Sequence, residues 1–177
     1  MTRSRVLLVG LFMSMVTVVN AQVIAPKYYV ELGAVSLKVV ADGVNVSPHA
    51  ARLVLGREID QTFSMEGSYM ATVSNDTVNV GNTNVGVGLS SYGVYLKSNL
   101  VSFKQMNLFG RLGYSHTKLT STDGRWLSDS EVNSLSYGLG MQATLNKDWH
   151  FQSGYTVFSN KDSTKAKGFG ISLGYQF

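Results

Sequence analysis

Apolar side chains alternate with small polar ones along most of this chain, with a period of two residues. The C-terminal segment is the clearest case, with one face made of Phe169, Ile171, Leu173, Tyr175 and Phe177. Its other face is made of Gly168, Gly170, Ser172, Gly174 and Gln176. Successive side chains of a strand point to opposite faces, so this period indicates strands whose two faces lie in different environments. With no helical stripe after residue 21, the chain is predicted to be all-β.

Eight segments carry this alternation or a weaker form of it, and each approaches the roughly 9–11 residues that a tilted strand needs to cross a membrane. They are Tyr28–Val40, Ala50–Ile59, Phe63–Ala71, Val85–Leu100, Met106–Tyr114, Ser134–Leu145, Trp149–Phe158 and Gly168–Phe177. In the fourth segment, Val85, Val87 and Leu89 are out of phase with the apolar residues that follow. We expect either a β-bulge near Ser90–Ser91 or an upper part of the strand that stands clear of the lipid.

The connections between these segments alternate between short and long. The short ones are Asp60–Thr62, Val101–Gln105 and Asn146–Asp148. The longer, polar ones are Ala41–Pro48, Ser74–Thr83, Thr117–Ser130 and Ser159–Lys167. Short turns at one end and long loops at the other are typical of outer-membrane barrels.

The polar faces of the segments are made mainly of glycine, serine and threonine, and only 15% of all residues are charged. A face exposed to water usually carries more lysine and glutamate, whereas the lumen of an eight-stranded barrel has room only for side chains that fill it. Aromatic residues near the segment ends would form two girdles, Tyr28, Phe63, Trp149, Tyr175 and Phe177 at the turn end and Tyr69, Tyr114, Tyr137 and Phe169 at the loop end. These features favour a membrane barrel over the alternatives, a secreted β-sandwich or a lipocalin-like barrel.

The N-terminal segment predicts export. Met1–Ala21 contains Arg3 and Arg5, an apolar core of 14 residues at Val6–Val19, and small residues before a cleavage site at Ala21. The core is shorter than the roughly 20 apolar residues of a transmembrane helix. We therefore expect residues 1–21 to be a cleaved signal peptide and residues 22–177 to form one barrel domain.

The chain has no cysteine, so disulfides and thiolate metal sites are excluded. Its net charge of +4 includes two arginines of the predicted signal peptide, and the other basic residues are scattered. We therefore expect no nucleic-acid partner.

Charged residues on the inward faces form the candidate site of this chain. By strand parity they are Glu31, Glu66, Lys97 and Arg111. Because a buried unpaired charge costs several kcal/mol, we expect the two acids and two bases to pair in the lumen. A structural network is favoured over a gate or proton path, and His150, Gln152 and Arg52 are placed to extend it.

Catalytic and metal sites find little support in the sequence. Ser115 and His116 are adjacent, and neighbours on a strand point to opposite faces, so they cannot act as a nucleophile and base. None of the three histidines lies close to another, and no acidic loop has calcium-ligand spacing. We expect no enzyme activity, no metal and no cofactor.

Several segments resemble a known family. Tyr28–Gly33, Phe63–Tyr69, Leu108–Tyr114 and the terminal Leu173–Phe177 are similar to the small eight-stranded outer-membrane β-barrels of Gram-negative bacteria, the OmpA- and OmpX-like barrels. The resemblance extends over the whole predicted mature chain. It implies an antiparallel up-and-down transmembrane barrel in the outer membrane, with short periplasmic turns and four longer extracellular loops. It also implies insertion by the barrel-assembly machinery, with Phe177 ending the assembly signal.

Three functions are compatible with such a barrel. The first is a structural role in envelope integrity, or a surface-interaction role through the extracellular loops with a host or surface partner. The second is a narrow channel for ions or small hydrophobic solutes, and the third, least favoured, is modification of lipid A. We expect a monomer that contacts outer-membrane lipid and lipopolysaccharide.

Overall fold

The computed structural model describes residues 27–41, 44–74, 76–80, 83–121, 130–161 and 164–177. The predicted signal peptide lies outside these residues. The strands are β1 (Tyr28–Ala41), β2 (Val44–Val46), β3 (His49–Glu58), β4 (Phe63–Ser74), β5 (Asp76–Val80), β6 (Thr83–Phe103), β7 (Met106–Ser121), β8 (Ser130–Thr144), β9 (Trp149–Lys161) and β10 (Thr164–Gln176). No helix in the described part of the chain is long and apolar enough to span a membrane.

Eight of these strands close into one antiparallel barrel in the order β1, β3, β4, β6, β7, β8, β9, β10 and back to β1. The closing pair β1–β10 runs in register from Tyr29 opposite Gln176 to Ala41 opposite Thr164. It is extended by hydrogen bonds of 3.1 and 2.9 Å between the backbones of Tyr28 and Phe177. Closure removes the open sheet edges that would otherwise expose unpaired backbone groups to lipid. The predicted all-β up-and-down barrel is confirmed.

At one end of the barrel, here called the turn end, the chain reverses in short turns. Asp60 Oδ1 accepts hydrogen bonds of 2.7 Å from the backbone N–H groups of Thr62 and Phe63. Asn146 Oδ1 accepts two bonds of 2.9 Å from Asp148 and Trp149 in the same way. Such side-chain acceptors hold tight turns by replacing the missing strand partners.

At the opposite end, the loop end, the strands continue into regions expected to be loops. β2 folds back onto the end of β1, with Val39 opposite Val46, and β5 pairs with the start of β6. β7 continues to Ser121 and β9 continues to Lys161, and β10 already begins at Thr164. Only residues 122–129 of the connection expected at Thr117–Ser130 lie outside the described residues. The loops predicted from the sequence are longer than the connections in the structure, because antiparallel pairing continues beyond the alternating segments.

The β-bulge expected near Ser90–Ser91 is wrong. β6 pairs with β7 in unbroken register from Val87 to Asn99, and the shift occurs between Asn99 and Val101. Leu89 is apolar because it faces the interior, where it is buried. The turn expected at Val101–Gln105 is also shorter, since β6 ends at Phe103 and β7 starts at Met106.

The two faces of the barrel have opposite character. The outer face exposes large apolar side chains, for example Leu139 at 62% and Leu112 at 55% exposure. This arrangement excludes a soluble barrel or sandwich, in which those side chains would be buried. Outside, aromatic rings meet at the turn end, where Tyr28 stacks on Phe177 at 6.3 Å and Trp149 contacts Tyr175 at 5.1 Å.

The interior has two zones. Toward the loop end lies a buried apolar cluster made of Val35, Leu37, Val39, Val46, Ala50, Met70, Leu89, Leu119, Phe158 and Ala166. Toward the turn end most buried side chains are polar or charged, with Tyr29, Val54 and Phe109 packed among them. The candidate site lies in this second zone.

Candidate functional site

The four charged residues expected in the lumen all lie in the interior. Glu31 projects from β1, Glu66 from β4, Lys97 from β6 and Arg111 from β7, and none is more than 4% exposed. Lys97 and Arg111 are opposite one another in the β6–β7 ladder. Two like charges in such contact need a carboxylate between them.

Glu66 supplies that carboxylate. Its Oε2 lies 3.2 Å from Arg111 Nη2, and its Oε1 lies 3.7 Å from Lys97 Nζ. The hydroxyl of Tyr29 donates a 2.8 Å hydrogen bond to Glu66 Oε1. A carboxylate with no exposed surface is thus compensated by two cations and one hydroxyl, which offsets the cost of removing it from water.

Glu31 is held separately. His150 Nε2 lies 3.1 Å from Glu31 Oε1, Gln152 Nε2 donates to the same oxygen at 3.1 Å, and Ser172 donates to Oε2 at 3.1 Å. In the ladder, Gly174 is opposite both Glu31 and His150. A side chain at residue 174 would overlap the His150 ring, so glycine here opens the contact across β10.

Two glutamines connect the groups around the two acids. Gln152 Oε1 accepts a 2.8 Å hydrogen bond from Arg111 while its amide group donates to Glu31. Gln142 Oε1 accepts 2.7 Å and 3.4 Å bonds from Lys97 and Gln152. The result is one polar network, here called the lumen network, rather than a ring of four charges.

Aromatic rings complete the packing of the lumen network. The Phe109 ring has Lys97 Nζ at 4.8 Å and Arg111 Cζ at 5.0 Å from its centroid, and Lys97 Nζ is 5.3 Å from the Tyr29 ring. All three distances suit cation–π attraction. The alternation of β7 predicts that Phe109 fills the lumen, and the structure places it there. The role of Tyr29 is not predicted, although it stands on the polar parity of its strand. An aromatic residue on an otherwise small polar face is the signal that could have identified it.

The lumen network leaves little free volume. One adjoining cavity, lined in part by Arg52 and Arg111, measures about 10 Å³, and another, lined in part by Lys97 and His150, measures about 20 Å³. Each has room for about one water molecule. At this level the barrel is filled by side chains.

The pair that suggested catalysis is separated by the sheet. Ser115 is buried and donates to the carbonyl of Phe158. His116 lies on the outer face, 4.9 Å from the Tyr92 ring, and Nδ1 is 2.8 Å from Asn133 Oδ1. The described residues contain no group of three or more potential metal ligands.

The sequence matches the family model described as outer membrane protein beta-barrel domain over residues 6–177. A comparison with the curated proteins finds no match. The fold is similar to Ail, the attachment invasion locus protein of Yersinia pestis, solved with the heparin analogue sucrose octasulfate. The TM-score is 0.63 at 20% identity, over 87% of this chain and 100% of that one.

Two further solved barrels have the same fold. Neisserial surface protein A gives a TM-score of 0.63 at 15% identity, covering 84% of this chain and 95% of its own. OprG of Pseudomonas aeruginosa gives 0.61 at 14%, covering 86% and 96%. These comparisons and the exposed apolar outer face place the protein in the outer membrane. The chain belongs to the outer membrane protein β-barrel domain family.

Proposed function

We propose that this protein is a non-enzymatic barrel that supports envelope integrity or binds a surface partner through its extracellular loops. The observation that carries this proposal is the filled lumen. Glu66 and Glu31 are both paired with interior partners, and the cavities beside them have room for about one water each. Because the described interior is packed with side chains at this level, we expect the barrel to act through its outer surface and its ends.

The chemistry of those surfaces indicates the partners. The apolar outer band would contact outer-membrane lipid and lipopolysaccharide, and Phe177, 68% exposed at the turn end, would present the assembly signal to the barrel-assembly machinery. We expect a monomer in which the loops meet a host or surface ligand. Ail, which shares the fold, has been solved with a sulfated sugar analogue.

A loop-replacement experiment separates the two roles. Cells lacking the protein are complemented with the wild type, or with a variant whose residues 122–129 are replaced by a short Gly-Ser turn. A structural role predicts that both restore resistance to detergent. A surface-binding role predicts that only the wild type restores adhesion of cells to immobilised sulfated glycan, while both reach the membrane at equal levels. If neither variant changes detergent resistance or adhesion, the proposal is wrong.

A narrow channel is the second candidate, and the charge of the interior favours it. Burying two acids and two bases in the lumen costs more free energy than burying apolar side chains. Ions could cross the lumen along these charges if the ion pairs exchanged partners. Conductance measurements decide between the two.

A further inference from the structure

We propose that the lumen holds a single chloride-sized monovalent anion between Arg52 and Arg111. The feature that carries this inference is a small cavity above the lumen network, on the side of the loop end. Its lining includes both arginines and the polar residues Gln152, Thr156 and Ser172, but no carboxylate.

Three glycines lie side by side in the sheet beside this cavity, and two of them, Gly154 and Gly170, line it. Gly140 of β8 is opposite Gly154 of β9, which is opposite Gly170 of β10. All three face the interior by strand parity, and a Cβ at Gly140 or Gly154 would meet a backbone carbonyl oxygen at 2.5 or 2.9 Å. Glycine at these positions therefore allows the close approach of the neighbouring strands and of the Phe109 ring beside the cavity.

The two arginines have unused donors at this cavity. The Nε atoms of Arg52 and Arg111 are both buried and have no hydrogen-bond partner. Arg111 is 4% exposed and uses Nη2 for Glu66 and Gln152. None of the ion pairs among the described residues includes Arg52.

The interior carboxylates attract Arg52 electrostatically, but they bind other partners and do not line this cavity. Glu66 lies between Lys97 and Arg111, Glu31 lies with His150, and Glu58 lines the separate cavity beside Lys97. Two neighbouring cations with unsatisfied buried N–H groups therefore face a space with no anion. A buried donor left without a partner costs free energy, and the cost is larger when the donor carries a charge.

An anion suits this space better than water does. Both Nε groups are donors, so the ligand must accept from each, and a negative charge also relieves the repulsion between the two guanidinium groups. A volume of about 10 Å³ admits one atom-sized species and excludes sulfate, phosphate and carboxylate ligands. Chloride meets the requirement in charge, and as a single atom it is the common anion nearest in size to the water molecule for which the cavity has room.

Urea unfolding of the protein in lipid vesicles tests the site. Sodium is kept constant while chloride replaces gluconate, which is too large to enter. For a dissociation constant of about 10 mM, about 100 mM chloride should raise the folded-to-unfolded ratio about tenfold. Arg52→Gln should abolish this response. Arg57→Gln, the same change at an exposed arginine of β3, should keep it.

A second measurement uses the wild type alone and does not depend on how well the variants fold. Crystals grown in sodium bromide should show anomalous density between Arg52 and Arg111. Water-like density without anomalous signal there overturns the proposal, as does an equal chloride response in wild type and Arg52→Gln. A wild type whose ratio does not respond to chloride overturns it as well.

Discussion

Glu66 and Arg111, 45 residues apart in the chain, form an ion pair of 3.2 Å inside the barrel, where Glu66 has no exposed surface. Lys97 shares the same carboxylate at 3.7 Å. Glu66 is therefore the residue on which the neutralisation of two buried cations depends.

Replacing Glu66 by glutamine should destabilise the barrel strongly. The change keeps the side-chain shape but leaves Lys97 and Arg111 without their carboxylate, and breaking such a buried pair costs about 3–5 kcal/mol. The free energy of unfolding from urea titration in vesicles measures this cost. Glu131→Gln is the matched control, since Glu131 is exposed and its loss should cost within about 1 kcal/mol. Equal costs at the two positions would contradict the lumen network.

The alternation of faces predicts how a charge is tolerated on the outside. Leu139→Arg should cost about 2–4 kcal/mol, because Leu139 projects into the lipid in the middle of β8. Leu145→Arg, the same change just beyond β8 at the turn end, should cost about 0–1 kcal/mol. If the unfolding free energies show that Leu145→Arg costs more than Leu139→Arg, the depths assigned to these two residues in the membrane are wrong.

Glycine 138 is a poor position for such a comparison. A Cβ there would lie 2.7 Å from the carbonyl oxygen of Tyr155 and 2.8 Å from the hydroxyl of Thr156. From the sequence, Gly138→Ser is expected to cost much less than Leu139→Arg, because residue 138 faces the lumen. The neighbouring strand fills the space at residue 138, so the substitution has a packing cost of its own that the alternation does not predict.

Two other glycines give a sharper test of interior packing. A Cβ at Gly140 would overlap the Phe109 ring and lie 2.5 Å from the carbonyl oxygen of Ser153, so Gly140→Ala should cost about 1–3 kcal/mol. At Gly67 the nearest atom to such a Cβ is 4.0 Å away, so Gly67→Ala should be neutral or stabilising by up to about 1 kcal/mol. Thermal unfolding of the two variants in the same detergent should show a clear difference. If both variants have the same unfolding midpoint as the wild type, the side chains in the lumen are packed more loosely than the structure shows.

How much of this could be predicted from the sequence depends on the range of the interaction. Alternation within a strand is local, so it correctly placed Glu66 and Arg111 inside and Leu139 outside. The pairing of Glu31 with His150 could not be predicted, because it depends on the register of β1, β10 and β9 and on the empty position at Gly174.

The same limit explains the error at β6. An apolar residue such as Leu89 indicates the lipid face only if the interior is polar, and near the loop end it is not. Local patterns cannot reveal that change, since the apolar cluster is assembled from eight different strands. The extensions of the strands at the loop end were missed for a related reason, because ladder pairing depends on the partner strand.

Protease treatment of intact cells tests the orientation of the barrel. Trypsin should cut after Arg125, which lies in the longest connection at the loop end. Lys147 lies in the turn between β8 and β9, so it should be cut only after the outer membrane is permeabilised. Peptide mass spectrometry identifies the cleaved bonds, and cleavage after Lys147 in sealed cells would invert the topology.

Single-channel recording in planar bilayers tests the filled lumen most directly. The wild type should show at most rare, small openings, because the lumen network leaves cavities of about 10 and 20 Å³ rather than a water column. Glu66→Ala should open more often, since the cations then lose the carboxylate that holds them, whereas Glu131→Ala should behave as the wild type. Large, steady currents through the wild-type protein would contradict the account and favour the channel.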